Sequence, residues 1–308
     1  MIIHPGFVGI DVSKCSLDIF DAGRLVRIDN HAAALAGLIE DWAERDAFVL
    51  FEATGRYDLV LRQMLAAAGV RFARVNPARV RDFARAAGFL AKTDAVDARM
   101  LAAMAQCLKP APAEAATAAR LQLALLNKRR DQLVAMRQQE RTRQRECADP
   151  VSRDSIAAHL CWLDAAIEAL NARIAASIAE EPELEQARRL LVSVPGVGPV
   201  TATTLLALMP ELGRRSPKQL AALAGLAPFN NDSGTRRGQR AIRGGRKRVR
   251  NALYIAAFVA ARHAPRFKAF YNTLIAAGKA AKLARIAVAR KLLTVLNAIL
   301  RDRQPFHA

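Results

Sequence analysis

Short apolar runs alternate with helical segments over the first hundred residues. Runs at 7–10, 16–20 and 25–30 follow one another closely and predict three consecutive strands, which favours antiparallel pairing. A helix over 31–45 follows, then a strand over 48–53. Thr54-Gly55 makes a turn into a helix over 58–68, and 71–76 reads as a short strand. Asn76-Pro77 opens another helix, with proline at the first position, where its missing N–H is tolerated.

The pattern changes at Lys109-Pro110-Ala111-Pro112, a stiff break. Beyond it a long helix is predicted over 114–146, stopped at Asp149-Pro150. In the next helix Leu160, Leu163, Ile167, Leu170, Ile174 and Ile178 recur at spacings of three and four, a narrow seam of coiled-coil type. The two predict an antiparallel hairpin, packed on itself or against a second copy of the chain. Its cationic run (Lys128, Arg129, Arg130, Arg137, Arg141, Arg143, Arg145) reads as a solvated face or as a phosphate contact. Glu181-Pro182 marks the next boundary. Three domains are expected, at 1–110, 111–182 and 183–308.

Within the third, the segment from Leu190 to Ala202 contains Val194-Pro-Gly-Val-Gly-Pro and resembles the hairpin of a helix-hairpin-helix module. Gly196 and Gly198 permit a tight turn and close backbone approach. Pro199 then starts a helix whose unpaired N–H groups suit a phosphate; the bland alternative is an ordinary turn between helices. Residues 230–250 show no apolar periodicity until their end and read as a glycine-rich loop feeding a basic helix over 246–262. Arg236, Arg237, Arg240, Arg243, Arg246, Lys247, Arg248 and Arg250 place eight cations within fifteen residues. Backbone phosphates are their natural target, since guanidinium binds phosphate through two parallel bonds.

Charge sharpens this division. Residues 1–110 carry 14 Lys/Arg against 13 Asp/Glu, and 111–190 carry 12 against 12. Residues 191–308 hold 21 basic and 3 acidic residues, so nearly all of the formal +19 sits there. No Asp or Glu occurs between Asp232 and Asp302. A neutral front and a basic back imply a polyanionic partner, nucleic acid before an anionic membrane surface. The apolar fraction of 52% excludes wholesale disorder. No stretch is long and apolar enough to predict a membrane span, the start lacks a basic leader, and four cysteines without metal spacing read as reduced thiols. A soluble, cytoplasmic protein is expected.

The candidate chemistry lies in four acids. Asp11 interrupts Phe-Val-Gly-Ile-Asp-Val-Ser, and Glu52 ends Phe-Val-Leu-Phe-Glu, each a strand-like apolar run broken by one carboxylate. Asp94 and Asp97 sit three apart in Lys-Thr-Asp-Ala-Val-Asp-Ala-Arg, the start of a helix, and so share a face. Acids at the ends of two core strands, with two more on one helical face, suit hard divalent cations such as Mg²⁺. Such a set is the equipment of two-metal phosphoryl transfer. Three early strands followed by βα units describe an RNase H-like mixed sheet, in which the first and fourth strands are neighbours. The fold class expected is α/β plus all-α: that sheet domain, a helical hairpin, and a helical C-terminal domain.

Gly9-Ile-Asp-Val-Ser-Lys, Glu52-Ala-Thr-Gly-Arg-Tyr and Lys92-Thr-Asp-Ala-Val-Asp-Ala-Arg-Met-Leu-Ala together resemble the DEDD transposases of bacterial mobile elements, and more narrowly the insertion-sequence 110 family. Val194-Pro-Gly-Val-Gly-Pro, Leu223-Ala-Gly-Leu-Ala-Pro, Ser233-Gly and the Gly-Gly-Arg-Lys-Arg-Val-Arg-Asn-Ala-Leu-Tyr helix extend the resemblance over nearly the whole chain, in order. It implies a RuvC-like N-terminal domain whose Asp11, Glu52, Asp94 and Asp97 hold Mg²⁺, two ions with Mn²⁺ able to substitute. It also implies a C-terminal transposase domain in which Ser233 attacks a DNA phosphate and forms a covalent phosphoserine link. Composition alone would read Ser233-Gly234 as a turn. The family further implies donor and target DNA, a structured guide RNA from the element itself, and a homo-oligomer, dimer or tetramer, whose subunits share composite sites.

The chemistry agrees with that implication. A serine hydroxyl is a weak nucleophile without a base or metal beside it, and His4, His31, His159, His263 and His307 form no catalytic motif. Metal held by the acids is the evident activator. Three other readings compete: a RuvC-like nuclease using water in place of Ser233, an actin-like ATPase or sugar kinase, and a non-catalytic nucleic-acid scaffold. The ATPase reading lacks a second phosphate loop.

Overall fold

The computed structural model describes residues 2–55, 57–88, 94–113, 117–230, 234, 238 and 240–307, with backbone alone at 94 and 95. It divides into two compact units, Met1–Ala115 and Ala116–Ala308.

Unit 1 runs β1 (Phe7–Val12), β2 (Ser16–Asp21), β3 (Arg24–Asp29), α1 (Ala32–Glu44), β4 (Phe48–Glu52), α2 (Leu59–Ala67), β5 (Arg71–Val75), α3 (Pro77–Ala86) and α4 (Asp94–Leu108). The strands form one sheet in the order β3-β2-β1-β4-β5. β1, β2 and β3 pair antiparallel, whereas β4 lies parallel to β1 and β5 parallel to β4. This mixed five-stranded sheet fits an RNase H-like domain.

The central strands are buried on both faces, so the alternation sorts their side chains between two cores. Val8, Ile10, Leu17, Ile19, Val49 and Phe51 pack with Leu35, Ile39 and Trp42 of α1 and with Leu61 and Leu65 of α2. Phe48, Leu50, Ala73 and Val75 pack on the opposite side with Met100, Leu101 and Met104 of α4. α4 approaches closely because Ala98, Ala102 and Ala105 are small and Gly9 on β1 has no side chain. A Cβ on Gly9 would collide with the Ala98 carbonyl oxygen and the Ala102 nitrogen.

Unit 2 contains α5 (Ala118–Glu146), α6 (Pro150–Ala179), α7 (Pro182–Val192), α8 (Pro199–Leu208), α9 (Pro217–Leu223), β6 (Pro228–Phe229), β7 (Ala241–Ile242), α10 (Lys247–His263), α11 (Pro265–Ala276) and α12 (Ala281–Asp302). Local chemistry sets many of these starts. Thr117 and Asp149 cap α5 and α6 through their side chains, and Ser216 with Gln219 forms a capping box on α9. The core gathers Leu253, Ala257, Phe267, Leu292 and Leu296 from the last three helices with Leu191, Leu205 and Leu220 from those before.

Leu123, Ile174 and Ile178, at the base of the α5–α6 hairpin, belong to that same core. Leu133, Leu163 and Ile167 form a separate small seam farther along it. The hairpin base and the C-terminal helices share this core, and residues 116–308 pack as one compact unit. The apolar seam of α6 extends through Ile174 and Ile178 into the core of the helices that follow it.

Candidate active site

The sheet brings two of the four expected acids together by pairing alone. Ile10 on β1 pairs with Phe51 on β4, so one step farther Asp11 and Glu52 stand side by side. Both lie at the carboxyl ends of their strands, where ligands bind in open α/β sheets. Asp11 follows Gly9 by two residues and therefore shares its face, the face covered by α4. Glu52 follows Leu50 in the same way. Both residues are half-buried.

α4 supplies the other pair. Ala98, locked over Gly9, directly follows Asp97, which is half-buried, and Asp94 opens the same helix. The docking of α4 on Gly9 thus directs the helix start toward the strand ends that carry Asp11 and Glu52. Among the described side chains, no group of three His, Cys, Asp or Glu forms a metal cage by itself. The Asp94 side chain lies outside the described residues. The donors are carboxylate oxygens, the hard ligands that Mg²⁺ and Mn²⁺ take, so the residue set fits the expected ions in chemistry.

The loop after Glu52 is held by a buried acid that no local pattern singles out. Asp58 is fully buried and accepts bonds from Arg62 Nε (3.0 Å) and Arg74 Nε (2.5 Å). Arg74 Nη2 also donates to the Gly55 carbonyl (3.1 Å). Gly55 has φ +74°, which explains the glycine of Glu-Ala-Thr-Gly. Asn30 Nδ2 donates to the carbonyls of Ser13 and Tyr57, at 2.9 Å each, and ties the β1–β2 turn to this loop. A cleft of about 480 Å³ lined by Phe7, Phe48, Arg71 and Lys109 lies at the start of β1 and β4 instead, away from Asp11, Glu52 and Asp97.

Ser233 lies outside the described residues, as do Arg236 and Arg237. The base of their loop is described. β6 pairs with β7 through Pro228–Ile242 and Phe229–Ala241. Beneath this short ladder Gly225 and Gly245 touch backbone to backbone; a Cβ on either would collide with the other strand of the loop. Arg250 Nη1 donates to the Gly244 carbonyl (2.7 Å), and the Arg246 backbone N–H to the Leu223 carbonyl (2.7 Å). Two sequence motifs, Leu-Ala-Gly-Leu-Ala-Pro and Gly-Gly-Arg-Lys-Arg, are thus the two sides of one closure.

The basic residues expected at phosphates divide by their partners. Arg246 donates twice to Glu211 (2.6 Å each) and to the Leu208 carbonyl (2.9 Å). Burial opposes ionisation of Glu211, yet the Arg246 guanidinium outweighs it and holds the acid below its ordinary range. Arg248 is paired with Asp131 of α5, and burial raises the Asp131 carboxyl despite that cation. Arg246, Arg248 and Arg250 therefore act as braces inside unit 2. Arg240 and Lys247 show no such brace among the described residues, and Arg243 lies over the Phe229 ring at 5.1 Å.

Gly196 also works inward. Its φ is +93°, and a Cβ there would collide with the Ala256 carbonyl and the Ala260 nitrogen of α10. The close approach permitted by Val-Pro-Gly-Val-Gly is thus made to a helix of the same unit. Gly198, the N-cap of α8, faces open space among the described residues.

A mixed sheet with two acids at adjacent strand ends, followed by a basic helical unit, fits the RNase H-like arrangement expected of a transposase. Family models match two stretches of the chain: a DEDD-type model described as "Transposase" over residues 8–151, and "Transposase IS116/IS110/IS902 family" over 188–272. The pilin gene-inverting protein of Moraxella lacunata is 32% identical over 264 residues, 84% of this chain and 81% of that protein. Its counterpart in Moraxella bovis matches to the same extent. The 43.6 kDa protein of insertion element IS110 from Streptomyces coelicolor is 35% identical over 151 residues, 48% of this chain and 36% of that protein. The chain belongs to the IS110 family of transposases, enzymes that rearrange DNA. Among the described residues no helix is long and apolar enough to cross a membrane.

Proposed function

We propose that the chain cuts and rejoins DNA through metal-bound carboxylates and a covalent phosphoserine. The observation that carries this reading is the pairing of β1 with β4, which sets Asp11 beside Glu52 on the face where α4 begins. Asp11, Glu52, Asp94 and Asp97 are the residues to hold Mg²⁺ or Mn²⁺, which when bound polarises a phosphate and stabilises a leaving oxygen. Ser233 Oγ attacks phosphorus and gives up its proton to solvent. The new Oγ–P bond forms as the bond from phosphorus to the leaving deoxyribose oxygen breaks, and that oxygen takes a proton. The ester retains the energy of the broken bond, so rejoining proceeds by the reverse displacement without ATP.

Arg240, Arg243 and Lys247 supply the phosphate contacts, with Arg236 and Arg237 as further candidates on the same loop. Gly198 offers the free N–H groups of the α8 start to another phosphate. A guide RNA from the element, paired with donor and target DNA, selects the sequence, and a homo-oligomer is the working unit; the strong positive charge of unit 2 supports a polyanionic partner of that kind.

The test is to incubate the chain, purified with the RNA that accompanies it, with duplex DNA carrying an element end. A denaturation-resistant protein–DNA adduct mapped by mass spectrometry to Ser233, and lost in Ser233→Ala and Asp11→Asn, is the expected result. Full-rate cutting by Ser233→Ala with no adduct would instead identify a hydrolytic nuclease.

A further inference from the structure

One cross-strand row runs through the acid site and carries more charge than the four acids account for. Asp11 on β1 pairs with Asp18 on β2, and Asp18 pairs with Arg27 on β3. Glu52 continues the row on β4, and Val75 ends it on β5. Residues paired directly across strands share a face, so Arg27, Asp18, Asp11 and Glu52 form a charged line on the α4 side. Phe20, two residues beyond Asp18, marks the same face, since Arg99 of α4 lies over its ring at 5.9 Å.

Asp18 is not a surface acid. Only 6% of the residue is exposed, and it stands directly opposite Asp11. Like charges facing each other across two strands repel, and burial strengthens the repulsion. Arg27 resolves it. Its Nε donates to Asp18 Oδ1 (2.9 Å) and its Nη2 to Oδ2 (2.8 Å), a two-bond fork that uses both carboxylate oxygens. The Asp18 carboxylate is thereby tied to Arg27 on β3, and the guanidinium offsets its charge where it stands.

We propose that Arg27 and Asp18 are a positioning pair for the acid site. Arg27 cancels the carboxylate beside Asp11, so a divalent ion is left to Asp11 and Glu52; Asp18 in turn keeps the Arg27 guanidinium from occupying the place of that ion. This rests on the metal-binding reading given above. The pair sets the charge of the row, and each half removed alone shifts that charge in a different direction. Without Arg27, an extra negative oxygen donor faces the ion. Without the Asp18 charge, the guanidinium loses a negative partner and its positive charge opposes the ion.

The experiment is Mn²⁺ titration of the full chain by calorimetry, with the electron paramagnetic resonance of the free ion as a second readout. One unit of charge beside a divalent ion is worth on the order of tenfold in affinity where, as at the largely exposed Arg27 side chain, solvent and salt screen most of the interaction. Arg27→Gln is expected to tighten Mn²⁺ binding about tenfold, and Asp18→Asn to weaken it about tenfold. The double variant Asp18→Asn/Arg27→Gln is expected within about threefold of the parent. Arg27→Lys keeps the charge but loses the fork and is expected within about threefold of the parent; Arg27→Met, which also removes the charge, replaces Arg27→Gln in the comparison if the latter fails to fold.

A merely structural pair would move both single variants in one direction, or leave both within threefold of the parent, and either result overturns the proposal. Binding by the parent that Asp11→Asn abolishes, with Arg27→Gln and Asp18→Asn unchanged, removes the pair's role and leaves the metal site standing. No binding by the parent removes both.

Discussion

Gly9 lies directly beneath Ala98, with no room for a β-carbon between the strand and the helix. That packing fixes how α4 crosses β1, and Asp11 and Asp97 lie two residues and one residue from it along their respective elements. Gly9→Ala forces the helix away from the sheet in a core that cannot yield. We predict a loss of about 3 kcal/mol or more in unit 1, since overpacking against rigid backbone exceeds the usual side-chain penalty. Chemical unfolding of the variant measures it, and strand cutting is expected to fall even at temperatures where the variant remains folded.

The basic residues separate into two groups by experiment. Neutralising Arg243 and Lys247 is expected to weaken nucleic-acid binding similarly for all sequences and to reduce the salt slope by about one for each phosphate no longer neutralised. Arg246→Ala leaves Glu211 mostly buried and without its partner, and unfolding at lower denaturant is expected before any sequence effect. Filter binding across a salt series and urea midpoints distinguish them. Altered sequence preference on replacing Arg243 would count against a phosphate role.

Glu211 gives unit 2 a defined acid response. Its carboxyl is held below the usual 4.5 in the folded state, because the Arg246 bonds outweigh burial. A depressed folded value adds stability above the unfolded value, and that contribution disappears as pH falls through the folded value. Glu211→Gln is therefore expected to be about 2 kcal/mol less stable than the parent at pH 7, the worth of bonds to a charged group. The gap should narrow as acid takes the pH down through the folded value. A gap that stays constant through the acid range would assign the effect to packing.

Gly225 and Gly245 close the base of the loop that contains Ser233. A methyl group at either site cannot enter without opening the closure, and both residues have positive φ (+67° and +65°). Gly245→Ala is expected to reduce formation of a protein–DNA adduct at least about tenfold while nucleic-acid binding falls much less. Adduct yield against binding affinity, measured on one preparation, checks the split.

Much of this architecture is legible in the residues because the signals are local. The apolar runs placed β1, β4 and β5 to within a residue or two, and Pro77 and Pro199 marked helix starts. Asp11 and Glu52 stood out as charges breaking apolar runs, and Asp94 and Asp97 as a pair three apart at a helix start. Asp18 and Arg27 did not, because Ser-Leu-Asp-Ile-Phe alternates as any strand does; their meaning appears only when three strands are placed in register. Asp58 was hidden for the same reason, its partners lying four and sixteen residues away. The braces at Arg246 and Arg248 depend on acids 35 and 117 residues distant, which no local pattern connects. β6 and β7, two residues each, are too short to leave a periodic trace.

The central claim is that Asp11 and Glu52, neighbours at the ends of β1 and β4, seat a divalent ion with the start of α4. Anomalous scattering from crystals grown with Mn²⁺ tests it most directly. The account predicts a manganese peak within coordination distance, about 2.0–2.3 Å, of a carboxylate oxygen of each of these two residues. A fully occupied manganese elsewhere, with no peak between Asp11 and Glu52, would contradict it.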